Sequence, residues 1–237
     1  MDKSQEIKIR IYKATNNREA CVRFAEGHAN VLKSYGIKKV TSSGTLWFDD
    51  PGVYVIMVES LSGDDIYGGA RLHVKNEKHL LPIEEALGKL DARIFDLIKW
   101  EKEHKTGEIC GLWNTKGMSG SGLSIILTRV GVAEAGILFA KDLELRSIYI
   151  LCAPWTVSMA KNTGFEIEKS IGNEGTFVYP RPDLLATVLT VKDIDTLKNA
   201  QVEERKHILD LRENPKQIKI ENGPKGEIEV EYDLVIP

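Results

Sequence analysis

The chain has 237 residues, 42% hydrophobic and 28% charged, with a net charge of -3. That length sits above the usual single-domain mode and allows a sizeable core, while the near-neutral balance lacks the basic excess of a nucleic-acid binder. With no apolar leader and no uncharged apolar run of 18 residues, neither a signal peptide nor a membrane span is expected, and a cytoplasmic location follows. Cys21, Cys110 and Cys152 lack CxxC spacing and lie in apolar contexts, as reduced thiols do. The five histidines show no HxH or HxxxH spacing, so no metal is expected.

In chain order, Ile7, Ile9 and Ile11 alternate with Lys8, Arg10 and Tyr12, which predicts a half-buried strand. Asn16 followed by Glu19 resembles a capping box, and Cys21, Phe24, His28, Val31 and Leu32 recur at helical spacing up to Gly36, with His28 on the core side. The run VYVIMVE (53–59) is almost continuously apolar, as in a central strand covered on both faces, and SGDD (62–65) turns it into IYGGARLHV (66–74). After Pro82, the spacing of Ile83, Leu87, Leu90, Ile94, Leu97 and Ile98 predicts one long amphipathic helix. A strand over 108–113, a glycine-rich loop and a helix over 120–135 follow. A strand at 147–153 and a short helix over 155–162 come next, the helix closed by Gly164-Phe165, then strands at 174–179 and 184–191.

Residues 193–212 read as a surface helix. The tail KQIKIENGPKGEIEVEYDL alternates around Asn222-Gly223 as a hairpin, which could cover a sheet edge or pair with a second copy in a homodimer. The expected architecture is α/β (α+β), with one mixed central sheet flanked by helices: a domain over 1–191 and a helix-plus-hairpin appendage over 192–237.

The loop GMSGSG (117–122) is the candidate site. A Walker loop needs a lysine where Leu123 stands, and a dinucleotide GxGxxG needs its glycine pair at the start, whereas the Gly120/Gly122 pair ends this motif. A pyrophosphate held by backbone N–H groups at a helix N-terminus remains, since glycines allow close approach and the helix dipole favours an anion.

With its flanking elements, this loop resembles that of the Gcn5-related N-acyltransferases, in which a strand, a [QR]xxGx[GA] loop and a helix bind the pyrophosphate of coenzyme A. Gly117 stands where Gln or Arg is usual. The segment IYILCAPWTVSMAKNTGFEI (148–167) is similar to the family's next strand and helix, and IYGGARLHV to its third strand. The acidic pair Asp49 and Asp50, Arg71 on the third strand and Glu108 on the fourth resemble the branch of acyl-homoserine-lactone and N-acyl amino acid synthases. Gly111 replaces the arginine of the lactone synthases' ExSR pattern, which points away from lactone synthesis.

The resemblance implies direct attack of an amine on an acetyl-CoA, longer acyl-CoA or acyl-carrier-protein phosphopantetheine thioester. An ammonium is no nucleophile, so a base is needed, and Glu108 is the candidate; a solvated strand end is the other reading of the same residue. Backbone groups of Leu112, Trp113 and Asn114 would hold the pantetheine arm, and those of Met118, Ser119, Gly120, Ser121 and Gly122 the diphosphate. Ser158 is the nearest hydroxyl to Ala160, where the family's tyrosine acid usually stands. Trp47, Asp50 and Arg71 would shape the acceptor pocket, with an Asp50–Arg71 ion pair or plain core packing as alternatives. Cys110 as an acyl carrier competes with Cys110 as packing. A thioester-binding sensor without turnover and an interaction scaffold using the hairpin are the other function classes.

Overall fold

The computed structural model describes residues 5–37, 44–140 and 145–236. In β1 (Gln5–Lys13) the three isoleucines point into the core. The helix α1 (Arg18–Ser34) is capped by Asn17, whose side chain accepts the Ala20 N–H at 3.0 Å. The expected cap, Asn16, instead ends a short 3-10 turn over Ala14–Asn16, which moves the helix start on by one residue. Every residue of β2 (Val53–Glu59) is buried, and β3 (Ile66–Val74) runs antiparallel to it.

The single helix expected after Pro82 is two, α2 (Pro82–Leu87) and α3 (Ile94–Leu97). Gly88 permits the break, because a Cβ there would collide with the Phe95 ring folded back onto it. Asp91 then fixes the turn by accepting the Arg93 N–H at 3.1 Å and the Gly172 N–H at 2.8 Å. The apolar spacing survives the break because Ile83, Leu87, Ile94 and Ile98 all enter one buried cluster.

Next come β4 (Lys105–Asn114), α4 (Leu123–Leu138), β5 (Leu145–Cys152) and α5 (Val157–Asn162). The last ends in a Schellman motif: Phe165 N–H reaches Ala160 O at 3.2 Å and Gly164 N–H reaches Lys161 O at 3.1 Å, with Gly164 at φ +102°. The strand expected over 174–179 is shorter, β7 (Thr176–Val178), and a further strand, β6 (Glu166–Ile167), precedes it; both pair with β8 (Leu185–Val191). The surface helix is confined to α6 (Val202–Glu213), since Asp193 turns the chain ahead of it by accepting the Thr196 N–H at 3.0 Å. The strands β9 (Lys216–Gly223) and β10 (Gly226–Asp233) turn through Pro224-Lys225, not Asn222-Gly223. Proline fixes φ at the first loop position, and Gly226 takes φ +114°.

The sheet order is β6-β8-β5-β4-β3-β2-β1-β10-β9, with β7 also on β8. Only the β4–β5 and β1–β10 pairs are parallel among the described strands. The hairpin therefore covers the β1 edge of its own sheet. Helices α4 and α6 pack on one face, over Ile56, Leu72, Ile109 and Ile148, while α1 with α2 and α3 covers the other. Among the described residues no helix is long and apolar enough to cross a membrane.

Candidate active site

Two irregularities of β4 build the site. Opposite β3, Trp113 pairs with Gly69 and Cys110 with Arg71, so Gly111 and Leu112 together face Ala70 in a bulge, with Gly111 at φ +58°. On the other side, pairing with β5 stops at Ile109↔Ile150, while β5 continues to pair with β8 as far as Cys152. Beyond Ile109 the two parallel strands part, and the main chain of Cys110–Asn114 on that side is not claimed by the sheet. Leu112 and Asn114 are half-buried beside the parting. Trp113 is buried and packs its indole onto α1, so closely that a Cβ at Gly27 would strike its ring.

Directly after β4, Met118 is buried in a 3-10 turn, its sulfur accepting from the Gln5 amide at 2.8 Å. Ser121 is buried too: its Oγ donates to Met118 O at 2.7 Å and accepts the Leu123 N–H at 3.3 Å. Ser119 and Gly120 are exposed, and Gly120 and Gly122 take φ +76° and +90°, conformations that glycine reaches without strain. The N–H groups of Ser121, Leu123 and Ile125 have acceptors; those of Gly120, Gly122 and Ser124 have none among the described residues. A Cβ at Gly117 would meet nothing within 4 Å. Open N–H groups, missing side chains and the dipole of a 16-residue helix fit a phosphate anion.

Glu108 is no solvated strand end. It is 2% exposed, accepts the Ile83 N–H at 2.8 Å and stands opposite His73 on β3 and Tyr149 on β5. Burial pushes its carboxyl up to about 8, against the Ile83 N–H and the Arg71 guanidinium, which pull it down. His73 was not a sequence candidate. It is 5% exposed, its Nε2 has no hydrogen-bond partner among the described residues, and burial holds its pKa well below the usual imidazole value. The available signal was the alternation of Arg71 and His73 in an otherwise apolar strand.

Burial pushes the Cys110 thiol up to about 12, against the Arg71 guanidinium 3.9 Å from its sulfur, which disfavours the thiolate an acyl-carrier role would need. Ser158 lies exposed on α5, whereas Ala160 is fully buried. Trp47 and Arg71 come together: Arg71 is fully buried, its guanidinium 4.2 Å from the Trp47 ring centre and 5.3 Å from that of Phe24. Asp50 is engaged elsewhere, accepting from Gly52 N–H at 2.8 Å and Asn76 Nδ2 at 2.9 Å and lying 2.9 Å from His79 Nδ1. The Asp50–Arg71 ion pair considered from sequence is thus replaced by a loop-closing cluster. Gly111 lies against Arg71, since a Cβ there would be 3.2 Å from Nη2. An arginine at 111 would need a left-handed backbone and would crowd a second guanidinium.

No protein-family model matches the chain, and no curated protein matches its sequence. Solved structures do. FeeM, an N-acyl amino acid synthase from uncultured soil microbes, is 14% identical with a TM-score of 0.58, the match covering 84% of this chain and 97% of FeeM. The CoA-dependent acyl-homoserine lactone synthase BjaI, solved with SAM and isopentyl-CoA, is 14% identical at a TM-score of 0.56, covering 87% of this chain and 90% of its own. Escherichia coli ElaA is 9% identical at 0.51, covering 78% of this chain and 98% of its own. At such identities the likeness is one of architecture, and it agrees with the parted β4 and the glycine turn: the chain has the Gcn5-related N-acyltransferase fold.

Proposed function

We propose that the protein is an N-acyltransferase that moves an acyl group from a pantetheine thioester, of coenzyme A or an acyl carrier protein, to a small-molecule amine by direct attack. The observation that carries this reading is the set of open N–H groups at Gly120, Gly122 and Ser124 beside the parting of β4 from β5. There the diphosphate would rest on the turn and the pantetheine arm would add to the free side of Leu112–Asn114 as an extra strand.

The amine nitrogen bonds to the thioester carbon, the carbon–sulfur bond breaks, and the amine proton passes to Glu108, directly or through a water. A base with its pKa near 8 takes a proton at mildly alkaline pH without binding it irreversibly. Main-chain N–H groups at the bulge would stabilise the oxyanion. The thiolate leaves unaided or with Ser158 as proton donor.

The test follows free thiol released from acetyl-CoA and longer acyl-CoAs with a panel of amines. Amine-dependent release is expected in the wild type and a loss of about a hundredfold or more in Glu108→Gln, with donor binding kept. Equal rates would remove Glu108 from the mechanism. A buried Ala160 and an exposed Ser158 favour a second reading, a thioester sensor. It predicts stabilisation by acyl-CoA with no thiol release by any amine.

A further inference from the structure

The hairpin tip lies against the glycine turn. A Cβ on Gly223 would collide with the Ser121 carbonyl oxygen, and one on Gly122 would be 3.4 Å from Gly223 Cα and 3.6 Å from Pro224 Cδ. A Cβ on Gly120 would be 3.0 Å from Lys225 Cε and 3.7 Å from its Nζ. The approach is held by a buried charge cluster: Arg129 on α4 binds Glu221 on β9 at 2.7 Å and Glu204 on α6 at 2.9 Å, and Tyr232 on β10 donates to Glu221 at 2.7 Å. Glu221 is two residues before Gly223, so the cluster fixes the tip relative to the N-terminal turns of α4.

Lys225 is exposed and has no hydrogen-bond or ion-pair partner among the described residues. Gly117 and Gly120 bring no side chain to the loop; Lys116 precedes it in the 3-10 turn, and Lys225 is the ammonium that the fold delivers from a distant segment to the side of Gly120. We propose that Lys225 is a donor-binding residue, its ammonium pairing with the phosphate of the pantetheine donor that the Gly120, Gly122 and Ser124 N–H groups hold. The inference rests on the acyl-donor reading of this site. It gives the C-terminal hairpin a role in function: the tip adds a cation to the phosphate turn from a distant segment of the chain. Lysine suits a phosphate as a mobile point charge and needs no fixed fork geometry.

Calorimetric titration of coenzyme A, dephospho-CoA and 4′-phosphopantetheine into wild type, Lys225→Ala, Lys225→Arg and Lys225→Glu tests this, with Lys206→Ala, at an exposed position of α6, as a control for net charge. Lys225→Ala should weaken CoA and dephospho-CoA alike by about tenfold, the worth of one charge-assisted contact, with Lys225→Glu weaker still and Lys225→Arg and Lys206→Ala near wild type. A similar loss with 4′-phosphopantetheine, alongside those with CoA and dephospho-CoA, would support the contact and place it on the pantetheine-side phosphate that CoA and a carrier-protein donor share. Unchanged or tighter CoA binding in Lys225→Ala, while wild type binds CoA, would overturn the assignment and leave the acyl-donor reading standing. A loss confined to CoA and absent with dephospho-CoA would also overturn it, by moving Lys225 to the 3′-phosphate. No binding of any of the three by wild type would overturn both. An unchanged thermal midpoint, expected at an exposed turn position, separates lost contact from lost fold.

Discussion

Two buried carboxylates show how differently one fold treats charge. Glu221, between α4 and β10, meets the Arg129 guanidinium on one oxygen and the Tyr232 hydroxyl on the other, so its charge is paired and both oxygens are hydrogen-bonded. Glu108, on the opposite face of the sheet, receives one main-chain N–H, and its burial outweighs both that bond and the pull of the Arg71 guanidinium. A matched charge holds elements together; an undercompensated one is poised to take up a proton. The first builds the wall that carries the hairpin tip, and the second stands on β4 just before it parts from β5.

The largest expected effect on stability comes from breaking the matched cluster. Arg129→Ala strands Glu221 and Glu204 and should cost about 3–5 kcal/mol in chemical denaturation. A loss under about 1 kcal/mol, the range of exposed pairs, would show that the cluster is not a buried one.

For Glu108 the comparison is sharpened by pH. Its folded pKa, about 8, is above the ordinary value of 4.5, so over that window the folded state keeps a proton that the unfolded state has lost. Its contribution to stability is therefore full below about 4.5, falls as pH rises, and levels off above about 8. Glu108→Gln should flatten that slope and be the more stable protein at pH 9. A variant with the same pH dependence as wild type would place the titration elsewhere.

Smaller effects follow from the backbone. Gly111→Ala puts a Cβ at φ +58° and against Arg71, and should destabilise by about 1–3 kcal/mol and weaken acyl-CoA binding together. Loss of stability with affinity intact would separate the bulge from the donor site. Asn17→Ala, in neither region, should cost about 1 kcal/mol through the lost cap and leave ligand affinity untouched.

Local periodicity was legible in the sequence. The isoleucine alternation of β1, the all-apolar β2 and the Gly164-Phe165 stop each depend on residues a few positions apart. The break at Gly88 was not, because α2 and α3 bury one stripe and so keep helical spacing through a turn. Glu108 and Arg71 could be picked out as charges inside apolar strands, but their surroundings come from α2, Trp47 and Phe24, which only the folded chain brings near. The partner of Asp50 was missed for the same reason: Asn76 and His79 reach it across the β3 end. The arrival of Lys225 at Gly120 depends on a parallel β1–β10 pair spanning almost the whole chain, and no local pattern encodes such a register.

The central claim is that the main chain of the glycine turn holds the donor's phosphate. Amide proton and nitrogen shifts of Gly120, Gly122 and Ser124, followed by NMR as coenzyme A is added, test it most directly. Downfield movement of these amide protons on one saturating curve is the predicted result. Saturable binding that leaves all three in place while amides elsewhere move would contradict it.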